Sequence, residues 1–264
     1  AVFNGMFVPL AGGTYNINSS SVTITEGGTY TITGSSTTTT NTITVNSGVT
    51  ATITLSNVTI DRSETTGTAF DIQSGANVTL ILDGTNTLTG GRYDDFNAVM
   101  AAPGIHLPSG ATLTIQGNGF LTVTGGDGGT NGFGGAGIGG NSRTVTSAAE
   151  ACGTITILSG TVEVKGGGGE LGGVGIGGGT SYTSGSGGAG GNVTIRGGMV
   201  VILTSVQVAG GTGTGTSGID DGINIGGGQG NSQAGGDGTN GSGIRPSTGG
   251  NNTYEVYGDL PIER

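Results

Sequence analysis

The chain has 264 residues, 63 of them glycine, and a formal net charge of −10. Glycine at roughly three times average usage, but without a strict every-third-residue register, excludes collagen, and a charged fraction of 9% excludes disorder driven by self-repulsion. The basic residues Arg62, Arg92, Arg143, Lys165, Arg196, Arg245 and Arg264 stand singly, so no basic stripe exists to bind nucleic acid, and no apolar run approaches the ~20 residues needed for membrane insertion.

Residues 1–28 are expected to form an N-terminal cap and first coil. They open with AVFNGMFVPLAGG, whose Phe3 and Phe7 are candidates to cap the domain or to join a neighbouring chain. The start at Ala1, without methionine, suggests a processed chain. From residue 29 to 208 the sequence alternates with period two. TYTIT (29–33), NTITV (41–45), TATITL (50–55), NVTLIL (77–82), ATLTI (111–115), FLTVT (120–124), GTITIL (153–158), GTVEV (160–164) and NVTIR (192–196) read as short strands. They are rich in Thr, Val and Ile and are separated by Gly, Ser, Asn and Asp turns. No window carries a helical period, so the chain reads as all-β.

The strands recur as blocks. DIQSGANVTLILDGTNTLTGG (71–91), HLPSGATLTIQGNGFLTVTGG (106–126), CGTITILSGTVEVKGG (152–167) and GGNVTIRGGMVVILTS (190–205) each give a strand, a glycine corner and a second strand. A Gly-Ile element precedes the middle blocks, and Ile105, Ile138, Ile176 and Ile225 are separated by 33, 38 and 49 residues. Irregular spacing of one repeated unit predicts a β-solenoid whose coils accept insertions at one corner. The isoleucines would form an inward ladder continuing Phe70, with the flanking glycines permitting positive φ and close backbone approach. A sandwich of the same strands explains the hairpin-like spacing but not the repeated GIGG. An apolar fraction of 32% suits a thin rod better than a sphere. The inserts at 125–135, 177–191 and 226–243 lack an apolar ladder and are expected to bulge as loops, with polyglycine-type packing as the alternative. Residues 209–253 are read as a glycine-rich coil and loop, and 254–264 as a C-terminal strand. There Tyr254 and Tyr257 are candidate assembly residues, and the natural protein is expected to continue past Arg264.

Little in the chain suggests catalysis. His106 is the only histidine and has no nucleophile elbow nearby. Lys165, the only lysine, shares a strand face with Glu163 and reads as half of an exposed ion pair. Cys152 is the only cysteine, so it forms no internal disulfide and is expected to be a small buried residue. The acidic pairs Asp94-Asp95 and Asp220-Asp221 are candidate calcium ligands or solvated turn acids. Neither follows an EF-hand loop or the GGxGxD nonapeptide. Tyr93, Phe96, Phe133 and Tyr182 lie in or beside glycine-rich loops and are the candidate sugar-stacking aromatics. The Thr-x-Thr strands raise a further class, the flat threonine faces of some ice-binding solenoids, although threonine is also a common outward strand residue.

GTYTITG, NTITVNSGVTATITLSNVTID, VTLILDGTNTLTGG, GIHLPSGATLTIQGNGFLTVTGG, GGAGIGG and CGTITILSGTVEVKGGGG together resemble the glycine-rich repeat region of large Gram-positive surface proteins, often labelled carbohydrate-binding β-helix domains. The resemblance spans about residues 14 to 257. It implies a right-handed parallel β-helix, secreted or wall-attached, with an adhesive role toward polysaccharide or a cell-surface glycan, and the lack of catalytic signals makes the expected role non-enzymatic. The alternatives are a structural subunit of an extracellular fibre joined through its termini, and a phage receptor-binding tip.

Overall fold

The computed structural model describes residues 12–35, 37–92, 100–129, 132–143, 149–181 and 187–196, with strand positions alone at 2–3, 6–7, 93–95, 98–99, 206–209, 225–226 and 254–257. Among the described residues the chain is all-β, without a helix. Three sheets carry the architecture. Sheet I holds Val22–Ile24, Ile43–Val45, Phe70–Ile72, Ile105–His106, Ile138–Gly139, Ile176–Gly177 and Ile225–Gly226, preceded by the antiparallel pair Val2–Phe3 and Met6–Phe7. Sheet II holds Gly13–Asn16, Gly28–Thr33, Thr50–Ser56, Asn77–Asp83, Thr112–Gly117, Thr154–Ile157, Val193–Arg196 and Tyr254–Tyr257. Sheet III holds Thr59–Asp61, Thr85–Thr89, Phe120–Thr124, Thr161–Lys165 and Val206–Ala209.

From Phe70 onward the chain visits sheets I, II and III in turn, and each strand pairs in parallel with its counterpart one circuit earlier. The isoleucine ladder expected from the sequence is the register of sheet I. Phe70 lies beside Ile105, Ile105 beside Ile138, Ile138 beside Ile176, and Ile176 beside Ile225. Alternation decides which side chains turn inward. Ile53, Leu55, Val78, Leu80, Leu113, Ile115, Ile155 and Ile157 of sheet II meet Ile60, Leu88, Leu121, Val123, Val162 and Val164 of sheet III and the sheet I ladder in one core. Burying a side chain of this kind contributes roughly 1.5–3 kcal/mol relative to leaving it in water. Cys152 joins that core, and burial pushes its thiol up to about 12.

Glycine has two different jobs in the structure. Between sheets II and III the chain turns sharply, and Gly84, Gly117 and Gly160 take φ of 63°, 111° and 96°. Asn57 occupies the same corner one circuit earlier at φ 55°, which asparagine tolerates better than most residues. In the Gly-Ile units the requirement is space. A Cβ on Gly137 would lie 2.5 Å from Val164 Cγ1, and one on Gly139 would lie 1.8 Å from the Gly177 carbonyl oxygen.

The inserts at 125–135 and 177–191 depart from expectation in two ways, while 227–243 of the third lies outside the described residues. They leave at two corners rather than one, from sheet III to sheet I (residues 90–104, 125–137, 166–175) and from sheet I to sheet II (139–153, 177–192). Nor do their described parts bulge as loops, because they pack as hydrogen-bonded layers. In the first layer Gly91 N–H donates to Gly67 O (2.9 Å), Ala102 to Gly91 (2.7 Å), Gly126 to Ala102 (2.9 Å), Gly135 to Gly126 (3.0 Å), Gly167 to Gly135 (2.8 Å) and Gly173 to Gly167 (2.8 Å). In the second, Glu150 donates to Asn141 (3.2 Å), Gly179 to Glu150 (2.9 Å) and Gly188 to Gly179 (2.8 Å). Outgoing and returning legs of successive circuits thus satisfy one another's backbone groups laterally. At the glycines the legs are too close for side chains, since a Cβ on Gly126, Gly167 or Gly173 would lie 2.0, 1.7 or 2.0 Å from a neighbouring carbonyl oxygen. The alternative of polyglycine-type packing is therefore closer to the structure than the loop reading.

Candidate functional site

Two features stand out on the outward surface. The first is a polar cluster on sheet I. Asp71 and His106 follow the inward Phe70 and Ile105, so alternation turns them outward in adjacent rungs. His106 Nδ1 lies 2.6 Å from Asp71 Oδ1, and its Nε2 lies 2.8 Å from Glu150 Oε2. Glu150 arrives from the second glycine layer, 44 residues away in sequence. The Asn141 backbone N–H donates to the same carboxylate at 3.1 Å, and its side-chain amide donates there too. Burial alone would lower the imidazole pKa, but the hydrogen bonds and charges of Asp71 and Glu150 outweigh it and hold it up at about 9. Burial likewise raises the Glu150 carboxyl, and the His106 bond, its charge and the Asn141 donors more than reverse this, leaving it below its ordinary value. Both ring nitrogens lie against carboxylates, and the Asn141 side-chain Nδ2 also lies 3.0 Å from Nε2, so the ring clamps sheet I to the glycine layer.

The second feature is the corner between sheets II and III. Phe120 is 54% exposed, the one exposed large apolar side chain among the described residues. It begins a sheet III strand whose Leu121 and Val123 point inward, so alternation places its ring outside. Its backbone N–H donates to Gly84 O at 2.7 Å, and Thr85 and Thr161 flank it in the ladder. On the sheet II side of the same corner Ser56 Oγ donates to Asp83 Oδ2 at 2.7 Å, and the Asn57 side-chain oxygen accepts from Thr85 N–H at 3.3 Å. A corner that carries an exposed ring together with a carboxylate, an amide and hydroxyls offers the apolar and directional contacts that sugars require.

The residues singled out from sequence fare differently. Phe133 is corrected. It is 1% exposed and bridges Met100 and Leu171 among the glycine legs, outside the main core, so its ring does not face a ligand. The glycine-rich segment around Phe133 is a packed layer, which takes the ring inside. Tyr93, Asp94 and Asp95 lie on Arg92–Asp95, which pairs antiparallel with Ala98–Ala101, and their side chains lie outside the described residues. Phe96, Tyr182, Asp220 and Asp221 also lie outside them. Phe3, Phe7, Tyr254 and Tyr257 occupy strand positions, Phe7 beside Val22 and Tyr254 beside Val193, again without described side chains. Among the described residues no group of three or more His, Cys, Asp or Glu is arranged to hold a metal ion, and no helix is long and apolar enough to cross a membrane. Glu163 and Lys165 share the outward face of their strand, both exposed.

The sequence carried signals for both features. Phe120 breaks the alternation as an apolar residue in an outward phase, and aligning DIQSG with HLPSG sets Asp71 over His106. Glu150 had no such signal, because it sits in an insert whose path the repeat does not fix.

The fold and this surface define an all-β protein of stacked parallel strands with an outward face of hydroxyls, carboxylates and one exposed ring. Residues 18–256 match the model of the carbohydrate-binding domain-containing protein family, and the chain belongs to that family. Comparison with curated proteins and with solved structures gives no match.

Proposed function

We propose that this chain is a right-handed parallel β-solenoid that binds polysaccharide without catalysis, as part of an extracellular bacterial surface protein. Family membership supports carbohydrate as the ligand class. The three-way circuit of parallel strands supports the solenoid, and the strong preference of parallel crossover connections for the right hand supports its sense. The observation that carries the reading is the exposed Phe120 ring at the corner between sheets II and III, which also carries Asp83, Ser56 and Asn57. The ring would stack on sugar C–H faces, and the corner groups would take the hydroxyls. The reading requires no cofactor.

The test is affinity electrophoresis through gels containing soluble polysaccharides, with and without calcium. The wild-type chain should be retarded by at least one glycan, and Phe120→Ala should run freely in that gel with an unchanged melting temperature. A chain that no glycan retards overturns the reading. The rival role, a subunit of an extracellular fibre, rests on Phe3, Phe7, Tyr254 and Tyr257 at the two ends. It predicts filaments in electron micrographs that lengthen with concentration and vanish when residues 254–264 are deleted.

A further inference from the structure

Sheet II carries an uninterrupted threonine column on its outward face. Its register places Thr29 beside Thr52, Thr52 beside Thr79, Thr79 beside Thr114, Thr114 beside Thr156 and Thr156 beside Thr194. A second column runs alongside, two residues back along each strand, as Thr50, Asn77, Thr112 and Thr154. A third, two residues on, begins Thr14, Thr31 and Thr54 before it changes to Ile81 and Gln116. Strand spacing of about 4.8 Å and a two-residue advance of about 6.7 Å make this a regular net of hydroxyls and methyls.

Three observations separate this net from ordinary strand composition. First, the other outward faces do not keep it. On sheet I the equivalent column is Thr44, Asp71, His106 and Gly139. On sheet III, Thr59, Thr87 and Thr122 give way to Glu163, and Thr85 and Thr161 flank Phe120. All three sheets share the β-propensity that favours threonine, so propensity alone does not explain six consecutive rungs on one of them. Second, among the described residues the first-column hydroxyls of Thr52, Thr79, Thr114 and Thr156 make no hydrogen bond within the protein, although the second-column Thr112 donates to Asn77 at 2.7 Å and Ser56 to Asp83 at 2.7 Å. Third, the net is rigid. The residues between the columns, Ile53, Val78, Leu113 and Ile155, are buried in the core, and a β-branched side chain is stiff at χ1.

We propose that the outward face of sheet II is an ice-binding surface, whose ligand is the ordered water lattice of an ice crystal. A crystal face presents a neutral, flat, periodic array of hydrogen-bonding sites, and no charged side chain interrupts the six-rung column. A flexible glycan chain gains nothing from six identical rungs and is better served by the ring and carboxylate at the II–III corner. The threonine columns exclude Phe120 and the corner groups Ser56, Asn57 and Asp83, so this site does not rest on the carbohydrate reading.

The experiment grows ice slowly in a dilute solution of the full chain and measures its partition between ice and liquid, together with thermal hysteresis. The wild-type chain should enter the ice and shape the crystals. Thr79→Tyr and Thr114→Tyr, each placing a bulky ring mid-column, should lose that enrichment while keeping the wild-type circular dichroism and glycan retention. Thr87→Tyr, on sheet III, should behave as wild type. Exclusion of the wild-type chain from ice overturns the proposal, as does undiminished entry of both sheet II variants. Loss of binding to an insoluble crystalline polysaccharide in those variants, with no wild-type entry into ice, would assign the face to a solid glycan instead.

Discussion

The sheet body and the glycine layers solve the same problem, holding successive circuits in register, by opposite means. In the body, side chains do it, with the ladder from Phe70 through Ile176 filling the space between three sheets. In the layers, backbone does it, with each leg bonded to the next from Gly67 through Gly173 and no room for a Cβ at Gly126, Gly167 or Gly173. A body position therefore fails by losing volume, and a layer position fails by gaining it. Glycine content alone does not mark flexible sequence here, because buried glycine legs are among the most closely packed parts of the chain.

The comparison can be broken from either side. The largest effect is expected for Ile138→Ala, which opens a cavity in the middle of the ladder and should cost about 4 kcal/mol by denaturant titration. In the layer, Gly167→Ala forces a methyl to within 1.7 Å of the Gly126 oxygen and should cost about 3 kcal/mol. If that variant proves neutral, the layer is not packed as described.

The His106 clamp ties the two regions together, and its pH dependence sharpens the contrast. The imidazole is raised from 6.5 to about 9 in the folded chain. Its contribution to stability is therefore fully present below pH 6.5 and is lost as pH rises through about 9. Glu150 is shifted the other way, so its contribution is present above the ordinary carboxyl value of 4.5 and is lost as pH falls below that. The melting temperature of the wild-type chain should exceed that of His106→Gln between those limits. The gap should close toward pH 10, and a gap independent of pH would rule out the ion pairs as its source.

The smallest effect is expected for Gly48→Ala. Nothing lies within 4 Å of the added methyl, but φ is +72°, so the cost should be about 1 kcal/mol of backbone strain. Comparing it with Gly167→Ala separates glycine used for conformation from glycine used for proximity.

The strands, their inward faces and the pairing of the circuits were legible in the sequence. Period-two alternation assigns each residue a side without knowledge of its partners, and repeated blocks align strands that will stack. That logic placed Ile105, Ile138 and Ile176 in one ladder and leaves the sheet II threonines facing out. Only the tertiary structure decided the fate of the inserts. Their glycines carry no apolar signal, and their order comes from lateral backbone hydrogen bonds between segments that no local pattern pairs. For the same reason Phe133 proved buried and Glu150 reached His106, because what surrounds a residue in a layer is set by neighbouring circuits rather than by its own stretch of chain.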